Sequence, residues 1–224
     1  MINRVLVTAV FLLVTGLTAR TGYDHIDSAF AVMGGARAWA ISGYWILRVV
    51  VMGAFTYFVA IRDEPRRRSR NPIAFAAFAV SLGSVALLQQ PSAPDSTTLV
   101  VLGDFVAFGA CVWLLVSVLA LGKCFGVLPE ARGLVTRGPY RIVRHPVYVG
   151  EFGTFAGFLL AAPTAWNLAV VVVFCVGQAV RMRLEEQALT LEFPEYADYA
   201  ARTPAVVPGL RRAGPERVPV SPLS

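Results

Sequence analysis

Two short stretches hold the residue types from which a binding or catalytic site could be built. The first is Arg144-His145-Pro146-Val-Tyr148-Val-Gly150-Glu151, which follows a basic, turn-rich loop containing Gly138-Pro-Tyr140 and runs directly into an apolar stretch. Pro146 suits the first position of a helix, where its missing N–H costs nothing, and this puts His145 at the cap. A helix start beside Arg144 is an anion site, because the unpaired N–H groups and the helix dipole both favour negative charge. The second stretch, Arg181-Met-Arg-Leu-Glu185-Glu186-Gln-Ala-Leu189-Thr-Leu-Glu192-Phe193, carries two adjacent carboxylates. Leu184, Ala188 and Leu191 recur at helical spacing, so a helix should continue to about Phe193, with Pro194 ending it.

Each of these residues also has a purely structural reading. Tyr148 could be an interfacial anchor. Gly150 with Gly153 and Gly157 could form a helix-packing face, His145 could do no more than cap a helix, and Arg181 with Glu185, four apart, could pair along a solvated helix face.

The elements that must position these residues lie in a membrane. Of the 224 residues, 56% are hydrophobic and 15% charged, which is too apolar for an ordinary soluble domain. Apolar runs near 3–19, 38–61, 72–90, 98–121, 147–162 and 165–180 approach the roughly 20 residues needed to cross the hydrocarbon. Their continuity points to helices rather than a barrel. The expected fold is therefore an all-α, polytopic integral membrane protein of five to six spans, the fifth one short. The first run could instead be a signal peptide, but Leu17-Thr-Ala-Arg20 is a poor cleavage site and an uncleaved anchor is preferred.

The net charge of +6 is not a nucleic-acid signature, because the basic residues fall in the connections between apolar runs and there report orientation. Arg62 to Arg70 and Lys123 to Arg144 mark two cytoplasmic connections, whereas residues 89–98 and 161–166 lack Lys and Arg. Both termini then lie in the cytoplasm, as in a multi-pass protein of a bacterial-type inner membrane, and cysteines at Ser92 and Ser69 should label from opposite sides. Cys111, Cys124 and Cys175 have no paired spacing, and with only His25 and His145 no metal centre is expected.

The chain divides into a scaffold of four spans (1–121), a region of two spans and a cytoplasmic helix that holds both motifs (122–208), and a flexible tail (209–224). Gly103 and Gly109 in the scaffold are small enough for close helix packing. Arg48 is costly inside a span and is expected to pair with Asp104 of the fourth span, a substrate role being the alternative.

Taken in order, Leu134-Val-Thr-Arg-Gly138-Pro-Tyr140, Arg144-His145-Pro146-x-Tyr148-x-Gly150 and Glu185-Glu186-x-x-Leu189…Phe193…Tyr196…Tyr199 resemble the isoprenylcysteine carboxyl methyltransferase family. Phospholipid methyltransferases are similar here. The resemblance covers about residues 120–208. It implies a helical membrane enzyme that takes S-adenosylmethionine from the cytosol and a lipophilic small molecule or lipid from the bilayer.

That cofactor presents a carboxylate, an ammonium, a sulfonium and a flat adenine. Under the resemblance Arg144, His145 and the N–H groups after Pro146 take the carboxylate, and Glu185 or Glu186 faces the ammonium or a ribose hydroxyl. Tyr140 and Tyr148 wall the adenosine pocket, Gly138 and Gly150 allow close approach, and Arg144 and Glu186 are the residues closest to catalysis. A carboxylate acceptor needs no base, whereas an amine or thiol needs Glu151, Glu186 or His145 to take a proton. The rival readings are a sterol-type reductase using a nicotinamide cofactor, and a small transporter or structural membrane protein whose Arg48 lines a path.

Overall fold

The computed structural model describes residues 4–32, 35–66, 71–89 and 97–209. Ser69, Ser92 and the tail from Arg211 onward lie outside the described residues. The described chain is helical: α1 (Arg4–Val32), α2 (Gly35–Ile61), α3 (Pro72–Leu87), α4 (Thr97–Leu121), α5 (Pro146–Ala161), α6 (Ala165–Glu192) and α7 (Tyr196–Arg202), with two single 3₁₀ turns at Gly122–Cys124 and Gly138–Arg141. Among the described residues, four helices are long and apolar enough to cross a membrane, and α3 and α5 are shorter apolar helices. The protein is thus an all-α, multi-pass membrane protein.

Helix boundaries follow local chemistry. The first apolar run reads as ending near residue 19, but α1 continues through the polar stretch from Arg20 to Ser28, because no glycine or proline interrupts it beyond Gly22. Asn71 caps α3 by accepting from the Ile73 N–H at 2.9 Å, with Pro72 at the first helical position. Thr164 caps α6 through the Asn167 N–H at 3.0 Å. α6 has 28 residues, about 42 Å at 1.5 Å per residue, so its last turns extend past a hydrocarbon core of about 30 Å. It ends where expected, with the Phe193 N–H closing onto the Leu189 carbonyl. α5 is short as expected, but α3 is equally so: each has 16 residues and is about 24 Å long.

Helix pairing gives the spatial order α1–α2–α4–α5–α6–α3. The central pair, α4 and α5, touches backbone to backbone. A Cβ on Gly150 would come within 2.7 Å of Leu114 Cβ, one on Gly153 within 2.7 Å of Ala110 Cβ, and one on Gly157 within 2.6 Å of the Ala107 nitrogen. Apolar side chains gain little from meeting one another in lipid, so close backbone approach at small residues is what holds such a pair together. α2 flanks α4 through Val51, Phe55, Val59, Leu114 and Val118, and Phe125 and Val127 close this core from the loop after α4.

The end that carries the basic loops is tied by hydrogen bonds. The Asp63 and Arg66 N–H groups donate to the Lys123 and Ala131 carbonyls at 3.0 and 2.9 Å, Arg132 reaches the Asp63 carbonyl and Glu130, and Arg4 pairs with Glu64 at 2.8 Å. At the opposite end Asn167 joins the α5–α6 turn to α3, donating to the Gln89 and Ala162 carbonyls at 2.8 and 2.9 Å. Arg48 lies over the rings of Trp45 and Tyr44, 4.8 and 5.7 Å from their centroids, so aromatic faces of its own helix accommodate its charge.

Candidate functional site

The site forms where α5 begins and α6 leaves the apolar zone. Gly138 takes φ +61°, a left-handed conformation open to glycine at no steric cost, and this turns the chain into the 3₁₀ turn that presents Tyr140. The chain then reaches Pro146, whose carbonyl accepts from Trp113 Nε1 of α4 at 2.9 Å, fixing the start of α5 against its partner helix. His145 occupies the cap position, but its ring makes no capping bond. Its Nε2 instead meets Glu186 Oε1 at 3.0 Å, and its ring stands edge-on to Tyr148.

Arg144 is the hub of this end. Its Nε and one terminal nitrogen donate to Glu186 Oε1 at 3.0 and 2.8 Å, and its other terminal nitrogen donates to the Ala200 and Thr203 carbonyls at 2.8 and 2.7 Å. The Arg144 and His145 N–H groups donate to the Pro204 and Ala205 carbonyls at 2.8 and 3.0 Å. Arg144 therefore binds three segments together: the start of α5, the end of α6, and α7 with the stretch after it. The Tyr199 hydroxyl adds a bond to the Tyr140 carbonyl at 2.7 Å. Burial holds the phenols of Tyr140, Tyr196 and Tyr199 above their ordinary pKa, with Glu185 adding to the effect at each, so all three are neutral donors at physiological pH.

Adjacent residues on a helix do not share a face, and the two glutamates separate accordingly. Glu186 turns to Arg144 and His145, whereas Glu185 accepts from the Tyr148 hydroxyl at 2.9 Å and lines the cavity. That cavity encloses about 560 Å³, its open mouth included, and a second lobe of about 410 Å³ shares Leu121, Cys124, Glu130, Tyr140, Arg144 and Glu185 with it. The Tyr196 hydroxyl is buried without a partner, in a residue that lines the second lobe.

Of the residues singled out by sequence, Tyr140, Arg144, His145, Tyr148 and Glu185 line the cavity together. Glu186 stands behind them, holding Arg144 and His145. Gly138 shapes the loop, Pro146 starts the helix, and Gly150 packs on α4, so the close approach it permits is to Leu114. Arg181 does not follow the simple helix pairing with Glu185: it donates to Gln178 Oε1 and the Val127 carbonyl at 2.8 and 3.0 Å, and lies 5.5 Å from the Tyr148 ring centroid. Phe55 and Glu130 also line the cavity without having been signalled. Phe55 looks like any other apolar residue of a span, and Glu130 like any loop charge. Among the described residues no group of three or more His, Cys, Asp or Glu side chains could hold a metal.

Comparison with known proteins fits this placement. Residues 95–195 match the phospholipid methyltransferase family model. The chain is 42% identical over 79 residues to a nickel-cobalt-cadmium resistance protein of Alcaligenes xylosoxydans xylosoxydans, covering 34% of this chain and 37% of that protein. It is 41% identical over 81 residues to a cobalt-zinc-cadmium resistance protein of Cupriavidus metallidurans, covering 34% of this chain and 36% of the relative. The matched segment thus spans little more than a third of these curated relatives. The α4–α6 region, with the Arg144-His145-Pro146 start and the Glu185-Glu186 pair inside it, is the phospholipid-methyltransferase-like part of a helical membrane protein.

Proposed function

We propose that this protein is a membrane methyltransferase that uses S-adenosylmethionine and transfers its methyl group to a lipophilic or membrane-associated acceptor. The observation that carries this reading is the convergence, in one cavity, of a helix start, an aromatic lining and a carboxylate with a spare oxygen. Val147 and Tyr148 lie in the first turn of α5, where backbone N–H groups have no intrahelical partner and attract a carboxylate. Glu185 gives Oε2 to Tyr148, and Oε1 is left for an ammonium or ribose hydroxyl. Tyr140, Tyr148, Phe55 and Phe125 offer faces to an adenine. The orphaned Tyr196 hydroxyl in the second lobe is a further donor that a polar ligand would satisfy.

These residues fit the cofactor, which when bound supplies an electrophilic methyl on sulfur. The chain contributes binding, alignment and exclusion of water. Arg144 has all but one of its N–H donors engaged by protein, so its part is to hold the α5 start and the α7 segment around the cavity, with Glu186 and His145 as its counterparts. The fit is tested by titrating the protein with S-adenosylmethionine. Binding should be saturable, and Glu185→Gln should weaken it by about tenfold or more, the scale of one hydrogen bond to a charged group.

The site is taken to face the cytoplasm, because Lys123, Arg132, Arg137 and Arg141 surround it and positive connections stay inside. In a background without native cysteines, Arg137→Cys should label only from the cytoplasmic side and Ala165→Cys, in the turn at the other end, only from outside. The opposite pattern would invert the orientation.

A further inference from the structure

Below the cofactor-facing groups lies a second polar cluster, around Glu151, one of the three residues the sequence offers as a proton acceptor. Glu151 sits five residues inside Pro146, about 7.5 Å deeper along α5. Its Oε2 accepts from Gln178 Nε2, and Gln178 Oε1 in turn accepts from Ser81 at 3.1 Å and Arg181 at 2.8 Å. Three helices, α3, α5 and α6, thus fix one carboxylate at the membrane side of the cavity. Glu151 and Arg181 both line it.

Two polar atoms of this cluster are unmet among the described residues. Glu151 Oε1 takes no protein donor, and the buried Nε–H of Arg181 has no acceptor. The floor therefore presents one acceptor and one donor beside an apolar wall of Phe55, Leu121, Phe125 and Val147. A neutral thiol satisfies both, receiving from Arg181 on one lone pair and donating to Glu151, whereas a neutral amine donates to Glu151 and keeps its single lone pair free for the methyl. A carboxylate acceptor can only receive, and it would place its charge against that of Glu151 in a poorly solvated site.

We propose that Glu151 is the proton acceptor of the methyl transfer, and that the acceptor is an apolar molecule whose nucleophilic nitrogen or sulfur arrives bearing a proton. This rests on the S-adenosylmethionine reading above. As the nucleophile's lone pair forms its bond to the methyl carbon, the carbon–sulfur bond breaks and its electron pair stays on sulfur, leaving a thioether. The proton leaves the nucleophile for Glu151 Oε1, and the carboxylate becomes a neutral acid. Gln178 and Ser81 hold the carboxylate in place and are positioning residues.

The test uses the full-length protein in neutral micelles with methyl-labelled S-adenosylmethionine and three probes of equal chain length: dodecylamine, dodecanethiol and dodecanoate. Label should enter the amine or the thiol and not dodecanoate, and which of the two is labelled identifies the nucleophile. Glu151→Gln should bind S-adenosylmethionine as the native protein does while the transfer rate falls about 100-fold or more, the scale of a lost general base. Glu151→Asp should recover part of that rate. Transfer to dodecanoate, full activity of Glu151→Gln, or bound cofactor with no transfer to any probe would each overturn the proposal. If the native protein binds no S-adenosylmethionine, the methyltransferase reading itself fails.

Discussion

Replacing Arg144 by alanine should release the C-terminal segment from the bundle and abolish cofactor binding together. The substitution leaves Glu186 partly buried with only His145 beside it, and it removes the donors of the Ala200 and Thr203 carbonyls. Breaking a buried ion pair by removing one partner costs about 3–5 kcal/mol, and here that loss falls on the end of the molecule that closes the cavity. Limited proteolysis should cut near residues 195–205 in the variant and not in the native protein, while α1–α4 stay intact. Arg144→Lys should recover little, since one ammonium cannot reach a carboxylate and two carbonyls in the geometry of a guanidinium fork. Resistance of the Ala variant to proteolysis would show that the segment is held by other contacts.

Gly157→Val should produce the largest effect in the membrane-spanning part. A Cβ at this position would lie 2.6 Å from both the Ala107 nitrogen and the Gly103 carbonyl oxygen. Those are backbone atoms, which cannot turn aside as a flexible side chain can, so α4 and α5 must separate. Overpacking typically costs about 1–3 kcal/mol, and backbone neighbours put this case at the upper end. The thermal midpoint in micelles should fall accordingly. Gly109→Ala on α4 is the matched control: nothing lies within 4 Å of its added Cβ, and removing a mid-helix glycine should be neutral or mildly stabilising. Equal behaviour of the two variants would remove the glycine seam as the basis of the α4–α5 pair.

The sequence made the elements legible where one residue decides a boundary. Pro146 starts α5 and Phe193 ends α6, as the proline and the helical spacing of Leu184, Ala188 and Leu191 imply. Tyr140, Arg144, His145 and Tyr148 share one short loop-to-helix junction in the sequence, and the α5–α6 hairpin returns Glu185 to it. What the sequence left undecided was direction. Glu185 and Glu186 look equivalent as a pair, and only the rotation of α6 sends one into the cavity and the other to Arg144. Gly150 offers close approach to anything, and the partner turned out to be Leu114. The length of α1 was hidden because the helix runs on through a polar second half, past Gly22, after the apolar run has ended. Phe55 reaches the cavity through tertiary packing alone, which no local pattern encodes.

We propose that the cavity between α5, α6 and the loop after α4 is an S-adenosylmethionine site. Calorimetric titration of the intact protein with S-adenosylmethionine and S-adenosylhomocysteine, with a reduced nicotinamide cofactor as the control ligand, tests it most directly. Saturable binding of both sulfur compounds, with none of the nicotinamide, is the predicted result. Binding of the nicotinamide in their place, or of none of the three by a folded sample, would contradict it.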